Sequence, residues 1–339
     1  MEVAGLPKAG RSARSRSRLA LGPVVAVAIA AAVFADGPAR AHPRPLATRP
    51  APMPAAGPVP APGRLLAAQM AAREQSSRLH GWLWQTLLPA HRLVVFYGDP
   101  ASPEMGVLGA SPPAVMLARL RQQATVYEGL DPRHPVVPAL DIVDPVAQPY
   151  PMRDGTYAAA IPDAQIGALV DLARRQHVLL FFDLQIGRGS VAAQVDRLWP
   201  WIIQPGIDIA LDPEFDMAPG EVPGVEFGRM MAAEINAVSD RLSTLVATGN
   251  LPPKVLIVHQ FRPDVLPDRS RIEVLPGVQL VICADGVGPP GPKAGGYEMY
   301  DDPSVQYPGI KLFYRSDHPL MTERQVVSLA PSPLLIMYQ

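Results

Sequence analysis

A single cysteine, Cys283, is all the thiol this chain contains, so no intramolecular disulfide can form. Its place inside the apolar run VQLVICADG suggests a buried, inert thiol. Stability must then come from a large core, which a chain of 339 residues can supply. Lysine is scarce too, with only Lys8, Lys254, Lys293 and Lys311. Residues 1–41 carry six of the 30 basic residues and two of the 31 acids, which leaves the rest of the chain at a net charge of −5. That balance cannot neutralise a phosphate backbone, so nucleic acid is excluded as a partner. No H-x-H or H-E-x-x-H occurs, which argues against a standard zinc hydrolase. No G-x-S-x-G elbow is present. No Gly-rich phosphate loop follows the first strand, which argues against a dinucleotide-binding open sheet.

What is present begins with an export pattern. RSARSRSR (Arg11 to Arg18) is a cationic stretch, LALGPVVAVAIAAAVFA (Leu19 to Ala35) an apolar one, and Ala39-Arg40-Ala41 supplies the small residues of a cleavage site. Residues 1–41 are therefore expected to be a signal peptide, with an uncleaved signal anchor as the alternative and the only expected tie to a membrane. No cysteine follows the apolar stretch and there is no twin-arginine pair. Residues 42–63 hold eight prolines and no acid, which describes an extended Pro/Ala linker. The folded domain is expected over 64–339, secreted or otherwise extracytoplasmic.

Apolar runs recur through that domain: LVVFYG (93–98), VVPALDIV (136–143), VLLFFDLQ (178–185), IDIALDPEF (207–215), KVLIVHQF (254–261), VQLVICADG (278–286), IKLFY (310–314) and PLLIMYQ (333–339). Helix-like stretches separate them at 112–124, 163–176, 190–203 and 226–247, with Asp163 and Ser190 placed as N-caps. Eight such strands alternating with crossovers predict an α/β fold, a (β/α)8 TIM barrel. No helix is expected after the eighth strand, and residues 64–88 are expected to form an N-terminal helical extension free to fill that gap or to close the barrel floor.

Barrel enzymes build their sites at the C-terminal ends of the strands. Those ends read Tyr97 on the first, Asp141 on the second, Asp183 and Gln185 on the third, Asp212 and Glu214 on the fourth, His259 and Gln260 on the fifth. Asp285 ends the sixth, Tyr314 the seventh and Tyr338 the eighth. On the fourth strand Ile207, Ile209 and Leu211 are expected to face the helices, and Ala210, Asp212 and Glu214 the barrel axis. Asp212 can then raise the pKa of Glu214 and make it a proton donor. Asp99 and Asp131, each before a proline, are expected to form turns. Trp82, Trp84, Trp199 and Trp201 are expected in the core, and Tyr97, Tyr314 and Tyr338 are the candidates for stacking on a sugar ring.

The Asp-x-Glu of the fourth strand resembles the end of the motif in chitinase-like glycosidases and barrel-type lysozymes. The resemblance implies that Glu214 is a general acid. The earlier aspartates of that motif fall here on Ile207 and Ala210, and the tyrosine of the seventh strand departs from glycosidases that carry a glutamate nucleophile there. More widely, YGDP, GVLG, FFDLQIG, ALDPEF, LPPKVLIVHQF, ADGVG, GIKLFY and PSPLLIMYQ resemble an uncharacterised family of secreted or lipid-anchored bacterial (β/α)8-barrel proteins, from residue 93 to 339.

The expected function is that of an exported hydrolase, glycoside hydrolase-like, acting on a cell-wall or environmental polysaccharide. Glu214 is the acid and Asp183 or Asp285 the base or nucleophile, with Asp212 as orienter. Asp141, Gln185, His259, Gln260 and the three tyrosines are expected to bind substrate. No cofactor is required, although the carboxylates with His259 could hold a divalent cation through oxygen ligands. The alternatives are a non-catalytic barrel that binds glycan or a wall partner, and a metal-dependent lyase or esterase using the same acids. The segment 285–309, rich in Gly and Pro, is expected to be a loop over the site, with Tyr297, Tyr300 and Tyr307 available to a ligand.

Overall fold

A computed structural model describes residues 86–303 and 305–339. The expected signal peptide, the linker, Trp82 and Trp84, and all but the last three residues of the helical extension lie outside the described residues. Eight parallel strands close into a barrel: β1 Arg92–Gly98, β2 Val136–Val143, β3 Leu179–Leu184, β4 Ile207–Leu211, β5 Lys254–Gln260, β6 Val278–Ala284, β7 Tyr307–Leu312 and β8 Leu335–Tyr338. Each pairs with its neighbours in sequence, and β8 closes on β1 with Leu93 opposite Leu335 and Phe96 opposite Tyr338. The predicted α/β TIM barrel is what the chain adopts.

Six helices run between the strands: α1 Pro113–Leu130, α2 Asp163–Gln176, α3 Val191–Ile202, α4 Ala232–Gly249, α5 Pro290–Tyr300 and α6 Glu323–Val327. The β5–β6 crossover has two 3-10 turns, Pro263–Val265 and Arg269–Arg271, in place of an α-helix. Ser190 caps α3 as expected, its hydroxyl accepting from Ala193 N at 3.1 Å. Asp163 is instead the first residue of α2, after Pro162, where a carboxylate suits the positive end of the helix. No helix among the described residues is long and apolar enough to cross a membrane.

The strands are buried on both faces, which separates two cores. Outside the barrel, Ile207, Ile209 and Leu211 join Val94, Leu140, Phe182, Leu256, Ile282 and Ile336 beneath the helices, with Trp199 and Trp201 packed against them. Inside, Val95, Ala139, Phe181, Ala210, Ile257, Val281 and Met337 fill the axis. Leu87 and Leu88 belong to this inner core and close its floor, held by Gln279, which accepts from Leu87 N and donates to Leu88 O. Leu87 and Leu88 thus plug the barrel floor; residues 64–85 of the expected extension lie outside the described residues.

The segment after β6 corrects the expectation of a loop over the site. PGPKAGGYEMY forms α5 because both prolines sit in its first turn, where backbone N–H groups have no helical partner. Buried contacts offset its glycines. Lys293 Nζ donates to Gly286 O and Lys311 O and pairs with Asp317 at 3.0 Å, and Tyr297 donates its hydroxyl to Pro331 O at 2.6 Å. Tyr297 and Tyr300 are buried, and Tyr307 begins β7 at the opposite end from the strand tips. None of the three is placed to stack on a ligand at those tips.

Candidate functional site

Above the apolar inner core lies a charged layer built from inward-facing positions. Parity carries it: Tyr97 follows Leu93 and Val95 on β1, Asp183 follows Leu179 and Phe181 on β3, and His259 follows Val255 and Ile257 on β5. Register then aligns the strands, with Tyr97 opposite Asp141 and His259 opposite Cys283. On the fourth strand the expectation needs one adjustment. β4 stops at Leu211 because Pro213 cannot extend the ladder, and Asp212 opens a 3-10 turn, Pro213–Phe215, that carries Glu214. Even so, Asp212, Glu214 and Asp285 each offer an oxygen within 4.8 Å of the others.

His259 lies at the centre of the layer. Its Nδ1 is 2.7 Å from Asp285 Oδ2, while its Nε2 faces Asp183 Oδ2 at 3.5 Å and Asp141 Oδ2 at 4.0 Å. Gln185 ties the other side together, donating to Asp212 Oδ2 at 3.1 Å and to the Tyr97 hydroxyl at 3.4 Å, and accepting from Ala147 N. Lys311, on β7, places its ammonium 3.6 Å from Asp285 Oδ2 and 3.5 Å from the centre of the Tyr97 ring. Five carboxyl groups thus face two basic side chains.

Burial grades the layer by depth. Asp141, Asp183 and His259 are 0% exposed, whereas Asp285 keeps 6% and Glu214 9%. Burial pushes Asp141 up to about 7 against the pull of His259, and burial with Asp212 holds Asp183 well above the usual carboxylate range. Glu214 is also raised well above its ordinary value, by burial and then by Asp212 beside it. For Asp285 burial works upward, but His259 and Lys311 outweigh it and hold the group below its ordinary value. Burial opposes charge on His259, yet Asp285 and Asp183 lift it above the usual imidazole range. Both oxygens of Asp141 and of Asp183, Asp212 Oδ1, Glu214 Oε2, His259 Nε2 and Asp285 Oδ1 are buried without a hydrogen-bond partner among the described residues.

Of the residues singled out in the sequence, Glu214, Asp212, Asp183, Asp285, Tyr97, Asp141, Gln185 and His259 come together here. Three do not. Tyr338 has the outward parity of β8, and its hydroxyl meets Tyr127 at 2.6 Å beneath α1. Tyr314 stacks on Tyr338 with ring centres 5.1 Å apart. Gln260 also faces outward, its side chain accepting from Arg269 at 3.1 Å. Tyr97 is in the layer, but it is buried and the Lys311 ammonium covers its ring, so it offers no sugar platform.

Two residues were missed. Lys311 could have been found as the charged residue between Ile310 and Leu312, whose outward parity turns it inward. Cys283 is buried as expected, with its thiol pushed up to about 12 by burial, but it faces the axis and groups with His259 and Asp285. Of the two turn candidates, Asp99 accepts from Ala101 N, while Asp131 anchors the buried Arg92. No family model matches the chain, and no curated protein matches it as a relative.

Proposed function

We propose that this barrel is an exported hydrolase of the glycoside-hydrolase kind, acting on a cell-wall or environmental polysaccharide. Glu214 is its general acid, and Asp285 its base or nucleophile. The observation that carries the reading is the pair itself. Glu214 and Asp285 are the most exposed carboxyls of the layer, lie within 4.8 Å of each other, and each keeps one oxygen free of hydrogen bonds. The likeness of Asp-x-Glu to the glycosidase motif points the same way, as does the export pattern of residues 1–41.

The chemistry follows from the surroundings. Glu214, kept protonated, gives its proton to the leaving glycosidic oxygen. Asp285, held as a carboxylate through Oδ2 by His259 and Lys311, presents Oδ1 to the anomeric carbon. Water then releases the sugar from Asp285 and returns a proton to Glu214. Carboxyls ~5–5.5 Å apart serve retention and ~6.5–9.5 Å inversion, and an oxygen of each within 4.8 Å of the other favours retention. Glu214→Gln should lower kcat about 10²–10⁴-fold on a glycan substrate with the fold intact by circular dichroism. An unchanged rate would sink the assignment.

One observation favours a second reading. Lys311, not an acid, occupies the inward position of β7, and a barrel that binds glycan without cleaving it has no need of a second carboxylate there. Saturable binding across a glycan panel with no product by chromatography would favour that reading.

A further inference from the structure

We propose that Asp141, Asp183 and His259 form a binding site for one divalent transition-metal ion at the floor of the charged layer, with Asp285 as the residue that orients His259. The inference stands apart from glycan hydrolysis in its ligands, which lie at a greater depth, and meets that reading only at Asp285.

Three observations meet at this point. First, the donors are spaced for a shared ion and not for one another. Ligand bonds of ~2.0–2.2 Å put neighbouring donor atoms about 3–4 Å apart. His259 Nε2 lies 3.5 Å from Asp183 Oδ2 and 4.0 Å from Asp141 Oδ2, too far for good hydrogen bonds. Second, all four oxygens of Asp141 and Asp183, and Nε2 itself, are buried without a hydrogen-bond partner among the described residues. Orphaned carboxylates at 0% exposure are costly, and a cation at their centre would satisfy them together. Third, the 2.7 Å contact of His259 Nδ1 with Asp285 Oδ2 points Nε2 at the two aspartates. That is the carboxylate–histidine–metal relay by which metal sites set tautomer and ring orientation.

Two other groups of donors are less suited. His259, Cys283 and Asp285 would have to give up the His259–Asp285 hydrogen bond. In the group of Asp212, Glu214 and Asp285, the Lys311 ammonium already pairs with Asp285 and Gln185 already occupies Asp212 Oδ2. Two carboxylates with one imidazole suit Zn²⁺ or Mn²⁺ better than Ca²⁺, which takes six or more oxygens.

The test uses the full chain, stripped with a chelator and then titrated by calorimetry with Zn²⁺ and, separately, Mn²⁺. One equivalent should bind per chain. Asp183→Asn and Asp141→Asn should each weaken binding at least 100-fold, Asp285→Asn by about 10–100-fold, and Glu214→Gln should leave it unchanged. Loading the wild type with Co²⁺ gives a reading that does not depend on any variant folding. The expected spectrum has the d–d bands of a nitrogen and oxygen site and no thiolate charge-transfer band. No saturable uptake, equal uptake by the wild type and the two aspartate variants, or a strong thiolate band would each overturn the proposal. None of these results depends on whether a glycan is cleaved, so failure of one reading leaves the other open to its own test.

Discussion

Lys311 is the only ammonium in contact with the carboxylate layer among the described residues, and its removal would leave Asp285 with His259 as its one cationic partner beside Asp212 and Glu214. Breaking one side of a buried pair costs about 3–5 kcal/mol, because the remaining charge loses its compensation. Because His259 still pairs with Asp285, Lys311→Met should lower stability by less, about 1–3 kcal/mol, in urea denaturation. A loss under ~1 kcal/mol would show that the layer does not need this cation. Glu214 offers a second measurement at the same scale. Its acid form persists above the ordinary glutamate range because burial and Asp212 oppose ionisation. Hydrolysis should then fall on the alkaline side at a pH above ~4.3, the value of a free glutamate. Asp212→Asn removes a neighbouring negative charge, so Glu214 should ionise more easily and this limb of kcat/KM should move to lower pH. A limb that stayed in place would separate Asp212 from the acid.

Among the elements, α5 and β8 carry the clearest consequences. Removing residues 289–296 would take away the first turns of α5 together with Lys293, whose ammonium ties the end of β6 to β7 and to Asp317. A large drop in Tm is expected, since a buried Asp317 would lose its partner. Tyr338→Phe is a gentler probe. It leaves the Tyr127 hydroxyl buried without its 2.6 Å partner, which should cost about 1–3 kcal/mol. Glycan or metal binding, measured by calorimetry, should not change, because Tyr338 packs under α1 and not toward the axis. Weaker binding with unchanged stability would reverse that placement.

For the molecule as a whole, buried carboxyls dictate how stability varies with pH. Asp216 is pushed up to about 7 by burial and by Glu234 beside it, and Asp208 to about 6 by burial in spite of Lys254. Each binds its proton more tightly in the fold than in the unfolded chain. The stabilisation is fully present below ~3.9 and is lost as pH rises through the folded values. Asp131 works the other way. Burial opposes its charge, but hydrogen bonds from His134, Arg133 and Arg92 hold its carboxyl below the ordinary range. Its contribution is present above ~3.9 and is lost as pH falls. Thermal melts should therefore show Tm declining between about pH 5 and 7, and Asp216→Asn should flatten that decline. An identical slope in the variant would remove Asp216 from the account.

Much of this molecule is written locally. Apolar runs broken by turn residues specify eight strands, and eight strands with crossovers specify a barrel. A polar residue that ends an apolar run marks a strand tip, which is how Asp141, Asp183, Asp212, His259 and Asp285 became legible. Tyr314, Tyr338 and Gln260 were misplaced all the same. Strands buried on both faces do not alternate in polarity, so the side on which each tip points cannot be read from the run itself. In the segment PGPKAGGYEMY, composition argues against a helix, and only burial of Lys293, Tyr297 and Tyr300 against distant partners makes one. The meeting of Lys311 with Tyr97 and Asp285, and of His259 with Asp141 and Asp183, was likewise a matter for the closed barrel. Parity has a period of two residues and is local, whereas neighbours across a barrel are set by closure and register, which no short stretch of sequence contains.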